Sequence, residues 1–95
     1  MPASLVADAA LVTSELVTNA VVHGRPPLDL RARIEGGEVL IEVRDEATYQ
    51  PRKLRPGDDD EHGRGLQIVA ALADRWGTRP TEHGKAVWCV LSLPG

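Results

Sequence analysis

A chain of 95 residues, 42% hydrophobic, is the size of one domain with a modest core, burying about 60–65% of the surface its unfolded form exposes. A formal charge of −3, 3% aromatics and no Phe provide neither clustered cations nor rings for a phosphate-tracking groove or a base-stacking platform, so direct nucleic-acid binding is not expected. No apolar run is longer than the six residues of Ile68 to Ala73, Met1 to Ser4 resemble no leader peptide, and a single Cys89 has no partner for an internal disulfide; a cytoplasmic protein that does not enter the membrane is expected.

Ser4 can cap a helix that runs to about Val22 and is closed by His23-Gly24 and Pro26-Pro27. Leu5, Ala9, Val12, Leu16 and Ala20 recur at helical spacing as its core stripe, and Glu15, Asn19 and His23 fall four residues apart in a polar stripe beside it. An acid and an amide one turn apart can divide two jobs: the carboxylate takes a proton, and the amide oxygen ligates a hard cation such as Mg²⁺. The alternative is a helix that carries Glu and Asn for solubility alone. His23 suits the negative end of the helix dipole.

The period then becomes two. Leu28, Leu30, Ala32 and Ile34 point one way and Asp29, Arg31, Arg33 and Glu35 the other, with Gly36-Gly37 turning into Val39, Ile41 and Val43, so a half-buried antiparallel pair is expected. Counting on by twos from Val43 reaches Asp45, an acid on the inward side that needs a donor, such as an adenine amino group. Alternatively Asp45 merely starts the next turn. Residues 46–62, with Pro51, Pro56, Gly57 and the acids Asp58 to Glu61, show no period and read as a loop, either a functional lid or disordered.

Gly63-Arg64-Gly65-Leu66 then opens a second helix with Val69, Ala70 and Ala73 in phase, and Gly77 is expected to end it. Glycine at a helix N-terminus admits a phosphate to the free amides, and Arg64 could add a charge-assisted contact, although such a glycine often serves conformation alone. Strands are expected near Thr78 to Thr81 and Lys85 to Leu93, around the turn Glu82-His83-Gly84. The expected architecture is α+β: a single domain over residues 1–95, a two-layer α/β sandwich with helices on one face of a mostly antiparallel sheet.

Taken in order, Glu15-x-x-x-Asn19 on a helix, Asp45 at a strand end, a lid, and Gly63-x-Gly65-Leu66 opening a helix resemble the Bergerat-type nucleotide site of the GHKL superfamily of ATPases and kinases. The phrase Leu11-Val-Thr-Ser-Glu-Leu-Val-Thr-Asn-Ala-Val-Val-His-Gly24 is most similar to the anti-sigma-factor serine/threonine kinases of Gram-positive bacteria, particularly actinomycete regulators, and Val87-Trp88 also looks like theirs. The resemblance runs from Leu5 to Leu93 and implies a histidine-kinase-like ATPase fold, here N-terminally short, since the family's first strand and helix precede the Glu-Asn helix.

It implies ATP and Mg²⁺ as cofactors. Glu15 would be the general base on a substrate hydroxyl, Asn19 the Mg²⁺ ligand and Asp45 the acceptor for the adenine amino group, with Gly63, Arg64, Gly65 and Leu66 at the phosphates. The implied partners are a sigma factor, which the protein would sequester, and an antagonist protein, which it would phosphorylate on serine or threonine; homodimerisation is left open. Two positions depart from the family pattern. Ala47 stands where a glycine commonly follows the aspartate, and Ala86 stands where relatives carry a threonine that helps hold it; both are expected to weaken nucleotide affinity. A non-catalytic nucleotide- or protein-binding regulatory module of the same fold is the alternative to an ATP-dependent kinase.

Overall fold

The computed structural model describes residues 3–47 and 60–93, and the side chains from residue 65 onward in the second of these stretches. The elements are α1 (Ala3–His23), β1 (Asp29–Glu35), β2 (Glu38–Asp45), α2 (Asp60–Leu72), β3 (Arg75–Pro80) and β4 (Lys85–Ser92). The four strands form one antiparallel sheet in the order β1-β2-β4-β3. The helices pack on each other and on one face of that sheet, α1 across β2 and β4 and α2 on β3. This is the two-layer α+β sandwich that the alternation of helical and twofold periods predicts.

The core lies between α1 and the two central strands. Val12 and Leu16 are fully buried against Val39, Ile41 and Val43 of β2 and Val87, Cys89 and Leu91 of β4, with Val69 contributed by α2. Burial pushes the Cys89 thiol up to about 11, so it remains protonated and packs as a small apolar group. At the β1–β2 turn, Gly36 and Gly37 both take positive φ, 59° and 80°, which suits glycine in a two-residue hairpin.

Several expectations need correction. α1 is long and apolar enough to cross a membrane by length and composition, contrary to the expectation that no segment is; one side of it, with Leu5, Val12, Leu16 and Ala20, is buried in the core, while Val6, Leu11, Val21 and Val22 are exposed. α2 begins at Asp60, so Gly63 and Gly65 lie inside it and the residues at 60–62 belong to the helix and not to the expected lid. Residues 48–59, the remainder of that lid apart from Glu46 and Ala47, lie outside the described residues. Gly77 does not end the helix, which stops at Leu72; it lies in β3, where a Cβ would come within 3.0 Å of Trp88 Cζ2, so its bareness makes room for the indole.

β1 is not half-buried either. Leu30 pairs with Val43 and Ile34 with Val39, which places both on the helix-facing side, yet they are 51% and 62% exposed because neither helix reaches over this edge strand.

On the opposite face of the sheet, Glu42 accepts from Arg44 and Arg79, and Glu38 from Arg75. Burial by itself raises the Glu42 carboxyl, but the hydrogen bonds and charges of Arg44 and Arg79 outweigh it and hold it below its ordinary 4.5. A carboxyl lowered in the folded state adds stability above its unfolded value, and that contribution disappears as pH falls through the folded value. The stability advantage of wild type over Glu42→Gln, measured by urea unfolding, is therefore expected to shrink as pH drops below 4.5. An advantage independent of pH would show that the arginines do not act through the Glu42 charge.

Candidate functional site

The elements bring Glu15, Asn19, Asp45 and Gly65 to one end of the helical layer. Along α1 the order is Glu15, then Asn19 about 6 Å further on, then the helix end at His23-Gly24 another ~7 Å away, at 1.5 Å per residue. α2 packs beside the first of these: a Cβ on Gly65 would lie 3.1 Å from Glu15 Oε2, so the glycine lets the carboxylate rest against the second helix. β2 ends beside the last: a Cβ on Gly24 would fall 2.6 Å from both Cγ and Oδ2 of Asp45. A carboxylate and an amide on α1 and a second carboxylate at the end of β2 therefore succeed one another.

Asp45 occupies the inward position that counting by twos predicts, and it is 3% exposed. Its Oδ1 accepts from the backbone N–H of Ala47 at 2.8 Å and of Arg25 at 3.4 Å. Its Oδ2 has no hydrogen-bond partner, although Lys85 Nζ stands 4.0 Å away. Asn19 is 7% exposed and its Oδ1 also lacks a hydrogen-bond partner. Leaving such a buried acceptor unsatisfied costs about 1–3 kcal/mol, so these two atoms are the candidate points for a donor or cation from a ligand.

The donor set fits Mg²⁺-ATP. One amide oxygen suits a cation that keeps most of its ligands as water and phosphate oxygens. Among the described residues there is no group of three or more His, Cys, Asp or Glu that would form an all-protein metal cage. A carboxylate whose Oδ1 is held by two backbone donors and whose Oδ2 has no hydrogen-bond partner suits an exocyclic amino group.

Gly63 lies in the first turn of α2, whose amides at 60–63 have no partner within the helix and can receive an anion. Gly65 lies beyond that first turn, and its contact is with Glu15. Leu66 packs against the core cluster. The Arg64 side chain lies outside the described residues, and His23 closes α1 in its last turn.

The structure also revises the two departures. Ala47 supplies the shorter of the two N–H bonds to Asp45, which any non-proline residue can donate. Ala86 is paired with Arg44 and Arg79, so it lies on the opposite face of the sheet from Asp45. The residue paired with Asp45 is Lys85, 6% exposed, which sequence reasoning overlooked although it stands in phase with Val87, Cys89 and Leu91. Gly84 was likewise read only as part of a turn. A Cβ there would come 2.1 Å from the Asp45 backbone oxygen, so no other residue lets the β3–β4 turn close against the end of β2 without displacing it.

A layered α+β domain with a carboxylate and a buried amide on one helix, facing a buried aspartate at a strand end, has the construction of a nucleotide-binding ATPase domain. In agreement, a family model described as histidine kinase-like ATPase domain matches residues 1–91, nearly the whole chain, and the chain belongs to that family. No curated protein matches it.

Proposed function

We propose that this domain is an ATP-dependent protein serine/threonine kinase of the anti-sigma-factor type, which transfers the γ-phosphate of ATP to an antagonist protein and sequesters a sigma factor in the cytoplasm. The observation that carries the nucleotide part is the pair of buried acceptors without hydrogen-bond partners, Asn19 Oδ1 and Asp45 Oδ2, at the two ends of one short stretch of α1 and its cap. Asp45 would receive the adenine amino group and Asn19 would hold Mg²⁺, which when bound neutralises phosphate charge. Glu15, about one turn further from the base, would take the proton of the attacking hydroxyl. The resemblance of the Leu11 to Gly24 phrase to the anti-sigma-factor kinases supports the choice of protein substrate and partner.

Saturating Mg²⁺-ATP is expected to stabilise the wild type by about 2.7 kcal/mol at 100 times its Kd, a rise in Tm of roughly 10–20 °C for a domain of this size. Asp45→Asn turns the acceptor into an amide that can present a donor to the base amino group, and it should abolish the shift. A wild type whose melting is unchanged by Mg²⁺-ATP would remove nucleotide binding from the reading. A wild type that binds nucleotide and sigma factor but never phosphorylates an antagonist would instead favour a non-catalytic regulatory module.

A further inference from the structure

We infer that Lys85 reads the adenine ring directly, as a second specificity determinant beside Asp45; the inference rests on the nucleotide-binding reading above. Lys85 is the cross-strand partner of Asp45, both point to the helix-covered side of the sheet, and the two side chains are 8% and 1% exposed. Nζ and Oδ2 stand 4.0 Å apart. Oδ1 of the same carboxylate is occupied by the backbone N–H groups of Ala47 and Arg25, which fixes the carboxylate so that Oδ2, the oxygen without a hydrogen-bond partner, is the one on the Lys85 side.

The pair therefore places an acceptor and a donor side by side on adjacent strands. An ammonium only donates and an ionised carboxylate only accepts, so neither can exchange roles. The Watson–Crick edge of adenine carries the complementary pattern on neighbouring atoms: the N6 amino group donates and N1 accepts. Asp45 Oδ2 takes the N6 hydrogen and Lys85 Nζ donates to N1. Guanine and hypoxanthine reverse both atoms, with O6 facing the carboxylate and N1–H facing the ammonium, and two buried mismatches follow from one ring. Sites that read a base with buried polar groups reject the wrong pattern strongly because those groups are left unpaired.

The test uses ADP and 1-deaza-ADP, in which N1 is replaced by C–H while the amino group remains, with Mg²⁺ and the full chain. Wild type is expected to bind 1-deaza-ADP roughly ten- to a hundredfold more weakly than ADP, the usual worth of a hydrogen bond to a charged group. Lys85→Met should bind the two nucleotides alike, and Lys85→Gln, whose neutral amide makes a weaker bond, should show an intermediate ratio. A merely structural lysine would alter both affinities together and leave their ratio as in wild type.

Equal binding of the two nucleotides by wild type overturns the assignment. So does a ratio unchanged by either substitution, and the glutamine variant decides the matter if the methionine variant does not fold. Failure of wild type to bind ADP at all removes the nucleotide reading and this inference with it, whereas ADP binding without discrimination at N1 removes this inference alone.

Discussion

Glu15→Ala is expected to lower γ-phosphate transfer by roughly 10²–10⁴-fold while leaving Mg²⁺-ADP affinity within a few-fold. Glu15 is only half-buried, on the polar side of α1, and alanine is the best helix former, so the substitution removes a carboxylate without opening the core. Its Oε2 rests against Gly65 of α2, at the end of the site away from Asp45, the proposed base acceptor. Phosphoryl transfer depends chiefly on positioning and charge neutralisation, so loss of the base slows the step without emptying the pocket.

Asn19→Ala should behave differently and lose both binding and transfer, because its Oδ1 is the buried acceptor assigned to the cation. The assay is transfer of labelled γ-phosphate to an antagonist protein, with nucleotide affinity measured separately. Equal transfer rates for wild type and Glu15→Ala would remove Glu15 from the chemistry.

Leu16→Ala, at the neighbouring position on the same helix, should act on the fold instead. Leu16 is 0% exposed and belongs to the cluster that joins α1 to β2 and β4. Truncating a fully buried leucine removes its transfer free energy and leaves a cavity, together about 2–5 kcal/mol. A domain of this length has only about 5–14 kcal/mol in total. A fall in Tm of roughly 10–30 °C is expected, with unchanged nucleotide affinity for the fraction that remains folded at low temperature. A loss under about 1 kcal/mol in urea unfolding would mean that α1 is not seated on the sheet through this side chain.

The parts of this architecture that the chain announces most clearly are those with an unbroken period. Val39, Ile41 and Val43 carry the count to Asp45 and its burial follows, while Val12, Leu16 and Ala20 place Asn19 at the margin of the core. Where the reading failed, two physical causes competed for one signal. The acids from Asp58 to Glu61 read as solvated loop, yet acids also favour the first turn of a helix, and α2 starts among them at Asp60. Gly77 read as a helix stop because glycine often is one, whereas its role depends on an indole from another strand, which no local pattern reveals. Leu30 and Ile34 alternate like buried residues, but burial needs a covering layer, and periodicity cannot say how far the helices extend. Lys85 enters the sequence reading only as the start of the last strand, although its phase with Val87 and Cys89 places it inside.

The position of β4 between β2 and β3 has a consequence for how the molecule assembles. β4 follows the other three strands in sequence, yet it is the partner of two of them. As the chain is synthesised, the β1–β2 hairpin can form early from local contacts, and α1 can lie on it, but β2 keeps a bare edge and half of the core lacks its other wall until Lys85–Ser92 arrives. β4 meets β3 through a short turn, but its pairing with β2 closes the long segment between Asp45 and Lys85 in a late event, so acquisition of the native state depends on that distant contact. Until that moment the incomplete sheet exposes Ile41 and Val43 beside unpaired backbone, which is the form most open to capture by chaperones or by other nascent chains.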